Sequence, residues 1–139
     1  MKEKVDPWIG WTAEEIPITY WDAGEKIFYS KNISVMRKDC FAIHEVLYEG
    51  GDTGWRITHI PSQYHAFDFY TALDAIDCVT LLEKYTDLFD KVVVHEDRIT
   101  VENLAPLRAA VQTDEKILHM IAVSGIYVET AHPKANMLS

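Results

Sequence analysis

Residues 41–85 constrain the fold of this chain more than any other stretch. Two runs of alternating apolar and polar residues flank the turn Gly50, Gly51, Asp52, Thr53, Gly54, and a third follows Pro61 and Ser62. Thr71 and Asp74 then open a helical pattern. Alternation with period two buries one face of a strand, so the stretch predicts three antiparallel strands followed by a helix. Leu73, Ile76, Val79 and Leu82 recur at the spacing of one helical face, with Ala72 and Ala75 beside them, and this side is expected to cover the sheet.

Register follows from placing apolar residues together and opposite charges together. With residues 50–54 as the first loop, Leu47 stands opposite Ile57 and Glu45 opposite His59. With Pro61, Ser62 and Gln63 as the second, Ile57 pairs with Phe67, Trp55 with Phe69, Arg56 with Asp68, and His59 with His65. A slip of one residue would set Asp68 beside Ile57. The expected core face therefore carries Ile43, Leu47, Trp55, Ile57, Phe67 and Phe69.

Weaker patterns flank this unit. Residues 1–16 read as an irregular arm pinned by Trp8 and Trp11. Ile18 to Trp21 and Lys26 to Ser30 flank a turn-rich connector and predict a hairpin, and Ile33 to Arg37 suggests another strand. Downstream, Lys91 to His95 reads as a strand, and Thr100 or Asn103 as the cap of a helix that tolerates Pro106 in its first turn. Glu115 to Val123 reads as a helix ended by Gly125, and Ile126 to Glu129 as a returning strand. The expected fold class is α+β, a central antiparallel sheet of β-hairpins packed on one or more helices. It is expected as a single compact domain over residues 1–139, with the arm at 1–16, the β-β-β-α unit at 41–85 and an α/β segment at 91–130.

Composition narrows the functional classes. At 139 residues with 48% hydrophobic content, the chain can build a core without a metal or a disulfide. Cys40 and Cys78 show no ligand spacing and are expected to be reduced and buried. The polar N-terminus does not read as a signal peptide, and the longest apolar run, Ile117 to Val128, is shorter than a membrane span, so a cytoplasmic location is expected. A net charge of -9 argues against direct nucleic-acid binding, because that grip rests on Lys and Arg neutralising phosphates. Asp74, Asp77, Glu83 and Asp87 are expected on or just beyond the outer side of the central helix, as a docking face for a basic partner or simply as a solvated surface.

Catalytic motifs are missing from the sequence: there is no GxSxG and no GxxxxGK[ST]. Glu45, His59 and His65, adjacent in the register above, form the donor set of many mononuclear metal sites, although polar residues at a sheet rim are the commoner explanation. The expectation is accordingly no cofactor and no stoichiometric zinc or iron. His95, Glu96 and Asp97 suggest an acid/base cluster or an ordinary polar turn, while His44 and His119 stand singly in apolar runs. Trp8, Trp11, Tyr20, Trp21, Phe28 and Tyr29 crowd the first thirty residues and suit a core, an interface or a base-stacking pocket.

Gly54-Trp55-Arg56-Ile57-Thr58-His59-Ile60-Pro61-Ser62, followed by a strand, a Thr and a helix, resembles a segment of small accessory proteins from bacteriophages and other mobile elements. The resemblance covers residues 54 to about 85, and Gln63 stands where that segment often has Gly. It implies an origin in a bacteriophage or another mobile element more than an activity, and for a phage-encoded protein the expected location is the host cytoplasm. The leading expectation is a non-enzymatic acidic protein that binds a host protein with a basic surface, as an inhibitor of a defence complex in the manner of anti-CRISPR proteins. A protein sequestering a nucleotide signal is the alternative, and a metal-dependent hydrolase built on Glu45, His59 and His65 the third. Homo-oligomerisation stays open.

Overall fold

The structure, a computed structural model, describes residues 6–22, 24–48, 51–97 and 100–126. Five antiparallel strands form one sheet in sequence order: β1 (Thr12–Asp22), β2 (Ile27–Lys38), β3 (Phe41–Leu47), β4 (Thr53–His59) and β5 (Tyr64–Phe69). The helices α1 (Ala72–Leu82) and α2 (Thr86–Asp90) follow, then the short pair β6 (Val93–Val94) and β7 (Val101–Glu102), then α3 (Leu104–Gln112) and α4 (Glu115–Ser124). The fold class is α+β, as the sequence indicates.

The expected pairing holds in the middle of the sheet and fails at both loops. Ile57 pairs with Phe67, Trp55 with Phe69 and Arg56 with Asp68. In the first loop, however, Leu47 pairs with Thr53 and Ile43 with Ile57, because the turn closes at Tyr48 N–H to Asp52 C=O (2.8 Å). Residues 53 and 54 thus belong to β4, not to the loop. The displacement is even, so the faces survive, but Leu47 runs past the core and is exposed. Near the second loop a bulge leaves Ala66 as the extra residue: Thr58 pairs with His65 and His59 with Tyr64.

Gly54 is a strand residue closely covered by the side chains of Ile126 and Tyr48, which a larger residue would have to displace. A Cβ there would lie 2.7 Å from Ile126 Cδ1 and 2.8 Å from the Tyr48 hydroxyl. Gly54→Val is therefore expected to destabilise the protein by about 1 to 3 kcal/mol through overpacking. Thermal unfolding checks it, and an unchanged melting temperature would mean that Ile126 does not sit over β4.

The helices cover one face of the sheet. Thr71 caps α1 by accepting from Asp74 N–H (3.2 Å). The buried side of α1 is Ala75, Cys78, Val79 and Leu82, rotated from the expected one, and Leu73 is exposed. Two small residues on the inner side let the helix backbone approach the sheet closely. Phe41, Ile43, Ile57, Phe67, Phe69, Phe89, Leu107, Val111 and Ile117 complete this core. Trp8 and Trp11 pack against it as expected of the arm, but the arm is shorter than expected, since β1 begins at Thr12.

The opposite face is covered by the sheet itself. β1 and β2 pair continuously from Thr12↔Arg37 to Asp22↔Ile27, which merges the predicted hairpin with the strand expected at Ile33 to Arg37. Ile18, Val35 and Ala42 form a second apolar cluster, with Ile16, Tyr20, Ile33 and Ile60 around it. Thr19 of β1 meets Gln63 and His65 beside and within β5, although β1 and β5 stand at opposite ends of the strand order. The sheet is therefore rolled.

In the C-terminal third, the predicted strand at Lys91 to His95 shrinks to the two residues of β6. Pro106 lies in the first turn of α3, as expected. Asn103, in the left-handed region at φ 62°, precedes α3 without capping it and instead donates to Lys91 C=O (2.9 Å). Asp114 caps α4, and Gly125 ends it. Gly125 bridges to Phe69, and Ile126 N–H donates to Asp68 C=O (2.8 Å), which starts the predicted return along β5. Residues 127–129 of that return lie outside the described residues.

Candidate functional site

Glu45, His59 and His65 do not form a site. Glu45 pairs with Trp55, not His59, because of the shifted first loop. The bulge sends His65 to the far face, where its Nε2–H donates to Thr19 C=O (2.9 Å) and Nδ1 stands 2.9 Å from the Thr58 hydroxyl. His44, 2% exposed, has Nε2 3.2 Å from the same hydroxyl, and burial pushes its pKa down to about 4. This chain satisfies polar groups beneath the β1–β2 ribbon. Beside it, Arg56 makes a two-pronged contact with Asp68 (2.8 and 3.0 Å), and the Tyr48 hydroxyl donates to the same carboxylate (2.6 Å). Burial opposes the charge on Arg56, but the Asp68 carboxylate more than offsets it and raises the pKa.

His59 remains on the helix side, its ring edge-on to Phe41 and tilted against Phe89. Its Nδ1 lies 2.7 Å from Ser62 Oγ and its Nε2 3.2 Å from Asp90 Oδ1. Cys40 joins them: one donor atom each from Cys40, His59 and Asp90 lie within 4.8 Å of one another. Burial lowers the His59 pKa against the pull of Asp90, and it raises that of Cys40, with Asp90 adding to the effect. Sequence reasoning selected His59 but missed both companions, which come from the β2–β3 turn and the end of α2. Cys40 is partly buried and Cys78 buried; both are free thiols.

Of the other histidines, His95 Nε2 contacts Glu102 Oε2 (2.7 Å) across the β6–β7 pair, and both Asp97 carboxylate oxygens hold Thr100. These contacts are local, between residues on either side of positions 98 and 99. His119 is exposed on α4. Among the crowded aromatics, Trp8 meets Trp11 edge-on (5.6 Å) and both pack against the core, whereas Tyr20 stacks on Tyr29 (5.7 Å), which is exposed.

The expected acidic helix face is partly committed to local work. Asp74 accepts from the Thr71 hydroxyl (2.8 Å), and Glu83 pairs with Lys38 (2.9 Å). Asp77 and Asp87 are exposed. A second acidic feature is a groove of about 550 Å³ where β2 and β3 part. The two strands pair only at Met36↔Ile43, Arg37↔Ala42 and Lys38↔Phe41; beyond these, β2 continues with β1 and β3 with β4. Met36, Ile43 and Trp55 give the groove apolar lining, and Glu14, Glu15 and Glu45 give it charge. Arg37 holds Glu14 at 3.3 Å, whereas Glu15 and Glu45 are exposed and have no ion partner among the described residues. Glu14 and Glu15 had no sequence signal, because they fall where an irregular arm was expected.

Among the described residues no helix is long and apolar enough to cross a membrane. Compared with protein-family models, with curated proteins and with solved structures, the chain matches none.

Proposed function

We propose that this protein is a non-enzymatic binding protein that receives an extended basic segment of a partner protein in the groove between β2 and β3. The observation that carries this reading is the parting of the two strands beside two exposed carboxylates, Glu15 and Glu45, over an apolar lining. Strand edges without a neighbour offer main-chain hydrogen bonds to an added strand, and side-chain chemistry then decides which strand. Here the chemistry favours lysine or arginine alternating with apolar residues. The net charge of -9 draws such a segment in from a distance. Asp77 and Asp87 extend the negative field without forming the groove.

A finer proposal takes its origin from the resemblance over residues 54 to about 85 and its activity from the small size, acidity and aromatic content of the chain. In it the protein is an accessory protein of a bacteriophage or another mobile element, acts in a host cytoplasm, and occupies a basic nucleic-acid-binding surface of a host defence complex as an inhibitor.

Fluorescence anisotropy with a short labelled peptide alternating lysine and valine, and with its glutamate-for-lysine counterpart, tests the groove. The basic peptide is expected to bind saturably and to weaken as salt rises, since exposed charges are screened beyond about 8 Å at physiological ionic strength. The double variant Glu15→Lys, Glu45→Lys is expected to lose the binding, and Asp77→Lys, Asp87→Lys to retain most of it. Equal binding of both peptides, or undiminished binding by the groove variant, would refute the proposal.

A further inference from the structure

The geometry points to a zinc site formed by Cys40, His59 and Asp90, with one coordination position open to solvent. A thiol, an imidazole and a carboxylate from three separate elements converge within 4.8 Å, a donor set that suits a borderline-soft dication. Their separation in sequence, across residues 40, 59 and 90, hides the site from any reading of local spacing. The proposal runs against the expectation of a metal-free protein drawn from that spacing.

The surroundings of the three residues favour the ion. His59 Nε2 is directed at the Asp90 carboxylate, and its other nitrogen is held by Ser62 Oγ (2.7 Å). With zinc on Nε2, Nδ1 carries the proton and donates it to Ser62 Oγ, which also accepts from Tyr64 N–H (3.1 Å). Such an outer partner fixes the tautomer of a ligating histidine. Burial lowers the His59 pKa and so favours the neutral imidazole, the form that ligates. Cys40 is held as the thiol by burial and by the negative charge of Asp90, Asp39 and Glu83, and a dication reverses that balance. On binding, the S–H bond breaks, its proton leaves to solvent and a sulfur–zinc bond forms, so affinity rises with pH. The Asp90 side chain is 52% exposed, which leaves water access on that side. Ile60 N–H to Cys40 C=O (2.8 Å) ties the Cys40 turn to the end of β4 and holds two of the ligands in place.

The test uses the full chain, stripped with a chelator and titrated with zinc chloride by calorimetry, and separately with cobalt(II) followed by absorption. Expected are one tight zinc per chain, a thiolate-to-cobalt charge-transfer band and a melting temperature raised by zinc. Cys40→Ser is expected to abolish the band and Asp90→Asn to weaken binding. Ser62→Ala is expected to lower zinc affinity by about 10- to 100-fold. Because Ser62 also holds a turn, each variant is compared with the parent by metal-free circular dichroism. No saturable zinc binding, a cobalt complex without the thiolate band, or parent-like zinc affinity in a folded Cys40→Ser variant would each overturn the site.

Discussion

Asp68→Ala is expected to cost about 3 to 5 kcal/mol of stability, among the largest effects of any single substitution here. The carboxylate takes both prongs of the Arg56 guanidinium and the Tyr48 hydroxyl, and both charged residues are nearly sealed from water, Arg56 at 7% exposure and Asp68 at 3%. Removing Asp68 leaves a guanidinium that is still charged, since arginine does not deprotonate in proteins. The cost is that of an uncompensated buried cation, not of three hydrogen bonds. The double variant Arg56→Met, Asp68→Leu is accordingly expected to recover most of the loss, because well-packed apolar residues often replace a buried pair at little cost. Urea unfolding of the two variants decides. A loss below about 1 kcal/mol in Asp68→Ala, or a double variant worse than the single, would mean that water reaches Arg56.

Phe67→Ala is expected to cost about 3 to 5 kcal/mol and Ile57→Ala about 2 to 5 kcal/mol. The two side chains are paired across β4 and β5, and both are buried under the helical layer. Leu73→Ala, by contrast, is expected to change stability little, because Leu73 is 58% exposed. That contrast separates the observed orientation of α1 from the one its hydrophobic spacing suggests. Denaturant midpoints for the three variants measure it. A Leu73→Ala loss as large as that of Ile57→Ala would place the helix in the other orientation.

Much of the sheet was legible because alternation and charge pairing specify it. Ile57 with Phe67, Trp55 with Phe69 and Arg56 with Asp68 follow from putting apolar residues together and opposite charges together. Turn geometry was less legible. The Gly-rich run around residues 50–54 suggested where the loop lies, but Gly54 is there for the close approach of Ile126 and Tyr48, not for a turn. Nor did the bulge at Ala66 announce itself, although it alone moves His65 from one face of the sheet to the other.

The sites depended on long-range placement and were correspondingly hidden. Cys40, His59 and Asp90 meet because a turn, a strand end and a helix end converge. The groove exists because β2 leaves β3 after three paired positions to follow β1 around the rolled sheet. Neither event has a local cause that the sequence displays. What the sequence does display is the surplus of acids that gives the groove its charge.

The most direct test of the binding account is an amide chemical-shift map of the isotopically labelled protein, recorded while the basic lysine–valine peptide is added. The account predicts saturable shifts concentrated on residues 13–15 of β1, 34–36 of β2 and 43–45 of β3, which flank the parted edges, with smaller changes along α1. Shifts confined to α1 around Asp77 and Asp87, or spread evenly over all exposed acids, would contradict it.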